Sequence, residues 1–328
     1  MLDPFFNSEI VNNLLLQPWF QFVFVFITAV LASTKVTLQG AACRRHIRNS
    51  QDSLLYNTMF FTSVAIFLSL TLNMGMPNSE ILIWALIQAV GTVAFQVIYS
   101  VALTEGPISI TVLIINFGVV IPTILSAVIF REHVFYSQLF GIICLLISFP
   151  LSMKESGEGE KKANKKWLIL TLLTLITNSV VMTVQKLFGR TNSFKVGGEI
   201  ASNTYLLFIY IFGAIVAFLV YLFFRKFGSK ESSANKHTFK FGRSIVAFAL
   251  GMGLVLAVYQ KFYMTANLKL DGAFFFPTIT GLLSINMTAV GIILFGDRLN
   301  KRQWIGVIFG ILAVVLLNFK VGPYFVIG

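Results

Sequence analysis

Carboxylates are scarce in this sequence: 13 Asp and Glu stand against 25 Lys and Arg. None lies in the middle of an apolar run; Glu80, Glu105, Glu132, Glu199, Asp271 and Asp297 all sit at run ends. An exporter that trades cationic drugs for protons holds both cargoes on a deep carboxylate, so that class is disfavoured. Cysteine is nearly absent, with Cys43 in the first connecting loop and Cys144 inside a run, which argues against a disulfide framework or a metal site. The three histidines, His46, His133 and His237, fall in connecting segments without a spaced carboxylate or cysteine partner. With no nucleophile–base set and no phosphate-cradling glycine loop, the chain does not read as an enzyme or an ATP-driven machine, and no cofactor is expected.

Long apolar runs are abundant. The 328 residues are 56% hydrophobic and 12% charged, with a mean hydropathy of +0.82, far from the roughly 25% charged content of soluble domains. Runs of about 20 residues recur, each long enough to cross a hydrocarbon core about 30 Å thick. They predict ten spans near 18–40, 54–73, 80–103, 107–130, 135–152, 167–188, 198–224, 244–268, 272–294 and 302–320. Met1 to Gln17 carries Asp3 and Glu9 but no Lys or Arg, so it lacks the basic region of a signal peptide and reads as an interfacial lead-in.

The net charge of +12 is explained by position rather than by nucleic-acid binding. The loops after spans 1, 5, 7 and 9 hold 17 of the 25 Lys and Arg, among them Arg44, Arg45, Lys161, Lys162, Arg225, Lys240, Arg298 and Arg302. The positive-inside rule makes that face cytoplasmic and puts both termini on the other side. The two larger loops, Lys154 to Lys166 and Arg225 to Arg243, are mixed in charge and read as solvated linkers.

Displacing the chain by 165 residues aligns Ile129-Phe130-Arg131-Glu132 with Leu294-Phe295-Gly296-Asp297, Gln138 with Gln303 and Gly141 with Gly306. A displacement of 151 aligns the segment ending in Lys35 with the one ending in Lys186. Five spans per repeat is odd, so the second copy enters the membrane from the opposite side. Inverted repeats place a cavity at their interface that either half can open, the geometry of alternating access. The expected fold is therefore an all-α membrane protein of ten transmembrane helices, as two inverted five-helix repeats over residues 1–153 and 167–328, joined by a charged linker at 154–166.

With these features the sequence resembles the drug/metabolite transporter superfamily, specifically its EamA-like members. Lys35 and Lys186 match a lysine late in the first helix of each half. Glu132 with Gly141, and Asp297 with Gly306, match an acidic turn before the last helix followed by a glycine. The resemblance covers nearly the whole chain and implies transport of a metabolite. One feature departs from it: such proteins generally keep both termini in the cytoplasm, whereas the charge here points the other way.

An ionisable group at a helix centre costs roughly 2.5–3.5 kcal/mol or more, so it normally faces a cavity or a partner. Lys261 is the deepest by sequence, and Gln96 is its counterpart in the first half. Lys35 and Lys186 come late enough in their spans to snorkel to the headgroups. Asn116, with Pro122 beyond it, and Asn286, with Pro277 and Gly281, lie in helices able to kink and line a cavity. Tyr99 and Tyr263 complete the candidate substrate-binding set. Glu132 and Asp297 read as charges favouring the N-terminus of the last helix of each half. Gly306 and Gly310 form a small-residue pair for close packing or a homodimer contact. Trp19, Trp84, Trp167 and Trp304 read as interface anchors. The residues thus point to a secondary transporter of a neutral, zwitterionic or anionic metabolite. A bacterial cytoplasmic membrane is expected ahead of an endomembrane such as the Golgi. A non-transporting receptor or scaffold on the same fold is the alternative.

Overall fold

A computed structural model describes residues 13–46, 50–105, 114–152, 165–227, 243–295, 300–318 and 322–326. Asp297, residues 1–12 of the Met1 to Gln17 lead-in and most of the two larger loops lie outside the described residues. The helices are α1 (Pro18–His46), α2 (Ser50–Thr71), α3 (Ser79–Glu105), α4 (Val120–Phe130) and α5 (Tyr136–Ser152), followed by α6 (Lys165–Leu187), α7 (Asn192–Phe227), α8 (Arg243–Lys269), α9 (Gly272–Phe295) and α10 (Lys301–Asn318). Two short strands, β1 (His133–Phe135) and β2 (Tyr324–Val326), pair antiparallel with Val134 opposite Phe325. Helix α1 runs through His46, so Cys43, expected in a loop, lies on the helix.

Seven of the helices (α1, α2, α3 and α6 to α9) contain stretches long and apolar enough to cross a membrane. The surface carries the same message. Ile83, Leu86, Ile87 and Val90 on α3, and Leu168, Leu172, Ile176 and Val180 on α6, are each more than 40% exposed. Aliphatic side chains repeating every three or four residues along outward faces cannot be left to water on this scale. The chain is an all-α, multi-pass membrane protein.

The helices of the first five pack chiefly on those of the last five. Helix α2 packs on α7 and α8, α3 on α6 and α7, α1 on α8 and α9, α4 on α6 and α9, and α5 on α10. The α5–α10 contact is close because small residues line it. A Cβ at Gly141 would stand 2.8 Å from Leu317 Cγ, one at Gly310 would stand 2.9 Å from Ser148 Oγ, and the Ser148 hydroxyl donates to the Gly306 carbonyl at 2.6 Å. The glycine pair of α10 is therefore used inside the molecule.

The paired glutamines also have a local explanation. Gln138 accepts the Phe135 N–H at 3.1 Å and Gln303 accepts the Asn300 N–H at 2.9 Å, while Asn300 Oδ1 accepts the Gln303 N–H. Each glutamine sits three residues past the residue preceding its helix and satisfies an N–H that the helix leaves free, as in a capping box.

Before α4 the chain makes a tight turn, with Gly118 N–H donating to the Ile115 carbonyl at 2.9 Å and Val119 N–H to Asn116 at 3.2 Å. Pro122 has no N–H to offer the carbonyl four residues back, which belongs to Gly118. That carbonyl accepts the Ser179 hydroxyl of α6 at 2.9 Å instead. A Cβ at position 118 would come 2.8 Å from the Ile115 carbonyl and 3.1 Å from Ser179 Oγ, so glycine is needed there. The kink expected around Pro122 is present, one turn earlier than the proline itself.

Candidate ligand cavity

A cavity of about 250 Å³ lies where the two sets of helices meet. Its wall takes Ala32 and Lys35 from α1, Phe60 and Phe61 from α2, and Gln88, Thr92, Phe95 and Gln96 from α3. Ile115, Asn116 and Val119 come from the turn before α4. The later helices give Asn178, Val181, Met182 and Gln185 from α6, Ile209 and Tyr210 from α7, Leu256, Tyr259, Gln260 and Tyr263 from α8, and Ile279, Thr280 and Leu283 from α9. Spacings of three, four and seven residues on α3, α6 and α8 bring these side chains onto one face of each helix. Helices α5 and α10 contribute nothing to the wall among the described residues.

The lining combines six amide side chains, three tyrosines and one lysine with apolar and phenyl surface, and no described carboxylate is among them. The Gln88 side chain is 3% exposed and its Oε1 has no hydrogen-bond partner. Gln185 donates to Met264 Sδ at 3.0 Å.

Of the residues expected to bind a ligand, Lys35, Gln96, Asn116 and Tyr263 reach this wall, whereas Lys261, Lys186, Asn286 and Tyr99 do not. Lys261 is 1% exposed, but its Nζ lies 2.6 Å from Glu199 Oε2 and 2.5 Å from Asn203 Oδ1 on α7, and Lys269 Nζ holds the other Glu199 oxygen at 2.7 Å. Glu199 directly follows Gly198, whose φ of 51° breaks the start of α7. Lys186, 4% exposed, pairs with Glu132 Oε1 at 2.9 Å and donates to the Leu270 carbonyl at 2.9 Å. Asn286 Nδ2 is buried without a partner among the described residues, away from the cavity wall, and Tyr99 stacks on Phe95. Gly281, expected to bare backbone, faces α10 and α5: a Cβ there would stand 3.0 Å from Val314 Cγ2 and 3.1 Å from Leu145 Cδ1.

Glu132 does cap a helix, but not the one expected. Its Oε2 accepts the N–H groups of Gly272 at 2.7 Å and Ala273 at 3.2 Å, at the start of α9, rather than any from α5. Glu80 does the same for α7, accepting the Ser193 N–H at 2.8 Å. Trp19 and Trp304 are more than half exposed, as anchors would be, while Trp167 is 4% exposed and faces inward.

Sequence reasoning missed Gln88, Thr92, Asn178, Gln185, Tyr210, Tyr259, Gln260 and Thr280. The signal for part of this was present: Gln88, Thr92 and Gln96 recur every four residues along an otherwise apolar run, a polar stripe on one helix face. Asn178 and Gln185 are seven apart in the same way.

No family model matches the sequence, and no curated protein matches it. Chains of solved structures do match. One, described only as a crystal structure of protein, superposes with a TM-score of 0.64 at 11% identity, over 90% of this chain and 96% of that one. At that identity the likeness speaks to the fold alone.

Proposed function

We propose that this chain is a secondary transporter that carries a small metabolite across a membrane by alternating access, on the architecture of EamA-like drug/metabolite transporters. The observation that carries the reading is the polar cavity itself. Amides, tyrosines and a lysine from six segments converge inside a bundle whose outer surface is aliphatic. Polar groups enclosed at that cost in an apolar bundle serve a solute or water path.

The packing pattern supports two inverted repeats of five helices. Taking α1 to α5 as equivalent to α6 to α10, the main packings between the sets have exchanged counterparts, the small α5–α9 contact excepted. The α3–α6 contact corresponds to α8–α1, α3–α7 to α8–α2, and α4–α6 to α9–α1, while α2–α7, α4–α9 and α5–α10 map onto themselves. A two-fold axis relating the halves produces such a set, and an odd number of spans per half would lay that axis in the membrane plane. The aliphatic outer surface of α10, with Ile305, Ile308, Leu312 and Val315 each over 40% exposed, supports counting the shorter helices as spans as well.

Alternating access requires one end of the cavity to be held closed. At the end where α6 stops and α7 begins, Glu80 and Glu132 from the first half each cap a second-half helix, and Glu132 also binds Lys186. The Glu199 cluster lies at the same end. With the cation-rich face cytoplasmic, these contacts close the outer side, and both halves must part there for release. The solute belongs to the neutral, zwitterionic or anionic metabolites, and a bacterial cytoplasmic membrane suits the reading best.

The test is a thermal-shift screen of the purified protein in detergent against a metabolite library, since a ligand at 100 times its Kd stabilises by about 2.7 kcal/mol. A hit that is then taken up by proteoliposomes supports transport. A folded protein silent across the library favours a receptor or scaffold.

A further inference from the structure

We infer that the ligand of the cavity is a small monocarboxylate bearing an N–H or O–H donor: Lys35 takes the carboxylate and Gln88 Oε1 takes the donor. This rests on the transport reading and narrows it to one substrate class.

Three lysines point into the interior of the bundle, and their charges are treated differently. Lys186 is matched by Glu132 and Lys261 by Glu199. Lys35 is half-buried on the cavity wall and has no ion-pair or hydrogen-bond partner among the described residues, nor does any described carboxylate line that wall. Snorkelling does not account for it, because a snorkelling ammonium leaves the bundle for the headgroups, whereas Lys35 faces the space where a solute would sit. A cation removed from bulk water without a counter-charge is costly, and the solute that relieves that cost is an anion. The cost also disfavours cationic solutes, which would add like charge to the same space.

The second contact comes from α3. The oxygen of an amide accepts hydrogen bonds only, and Gln88 Oε1 is buried without a donor on a wall that otherwise offers mixed polarity. A buried acceptor left open is satisfied by a donor on the ligand. The one lysine and the lack of any arginine on the wall select a monoanion over a phosphate dianion, which is held by several cations or a guanidinium fork. The volume of about 250 Å³ sits below the usual range for drug-sized ligands and limits the body of the acid to a small one.

The experiment measures Kd by thermal shift and calorimetry on the detergent-purified full chain. The probes are small 2-hydroxy, 2-amino and aromatic carboxylic acids, each beside its neutral amide and its phosphate-ester analogue. The expected result is that one or more acids bind while the matching amides and phosphates do not. Lys35→Gln weakens that binding by about tenfold to a hundredfold, Lys35→Arg retains most of it, and Gln88→Leu weakens only acids that carry a donor. The ligand-free melt of Lys35→Gln, no lower than the parent's, excludes misfolding. Amides binding as tightly as acids, tighter phosphates, an unchanged Kd in Lys35→Gln, or silence across the whole panel each overturn the proposal. An acid that binds through Lys35 but does not enter proteoliposomes upholds the anion site and sinks transport. Uptake of a neutral solute indifferent to Lys35→Gln does the reverse.

Discussion

Lys35 and Lys186 stand at matching places in the sequence, each on the first helix of its half, yet the fold gives them opposite surroundings. Lys186 is sealed between Glu132, the Leu270 carbonyl and the face of Phe276, 5.7 Å from its Nζ. Lys35 lines the cavity, with no carboxylate beside it among the described residues. The difference teaches that a lysine in an apolar helix is not read by its depth. What decides its role is whether the chain itself supplies the counter-charge. Where it does, the pair locks two helices together; where it does not, the charge is available to a solute.

The largest expected effect lies on the locked side. Glu132→Ala leaves the Lys186 ammonium buried and unpaired and uncaps α9, which costs about 3–5 kcal/mol. The check is the thermal midpoint and urea or detergent denaturation of the variant. Glu132→Ala combined with Lys186→Met removes the stranded charge as well and is expected to recover part of that loss; no recovery would mean that the cap on Gly272, not the ion pair, carries the energy. Next comes Lys261→Met. Glu199 keeps Lys269 as a partner, so the loss is smaller, about 2–3 kcal/mol, with ligand affinity unchanged by calorimetry. Reduced affinity there would return Lys261 to the binding site.

Gly272→Ala sharpens the same comparison by packing. A Cβ there would collide with the Ser126 side chain and reach within 3.0 Å of Lys186 Nζ. Overpacking of this kind costs about 1–3 kcal/mol, read as a lowered melting midpoint. Lys35→Gln is expected to cost no stability, since it removes a charge the chain does not match, although it removes most of the ligand affinity. A large drop in stability instead would place Lys35 with the locked lysines and erase the contrast.

The membrane-spanning runs were legible because a run of about 20 apolar residues has few other physical outcomes. The repeated Gln138 and Gln303 were visible too, though their role as caps depends on where the helices start. The site was half legible. Lys35, Gln96, Asn116 and Tyr263 were found from polarity inside apolar runs, and the kink before Pro122 followed from the missing N–H. Lys261 was expected at the ligand, but it lies off the cavity wall. Counting residues along α8 cannot reveal that α7 breaks at Gly198 and brings Glu199 and Asn203 up to meet it. The partner of Glu132 was invisible for the same reason: α9 begins 140 residues later in the chain, and only the fold brings its N–H groups to that carboxylate. The amides of α6 and α8 were passed over because asparagine and glutamine in a span serve interhelical bonds as readily as a cavity.

The most direct measurement is counterflow in proteoliposomes, using the radiolabelled acid that gives the largest thermal shift. Saturable accumulation that persists in Lys261→Met and disappears in Lys35→Gln is the expected result. Equilibration no faster than in protein-free vesicles, or equal counterflow by Lys35→Gln and the parent chain, would contradict the account.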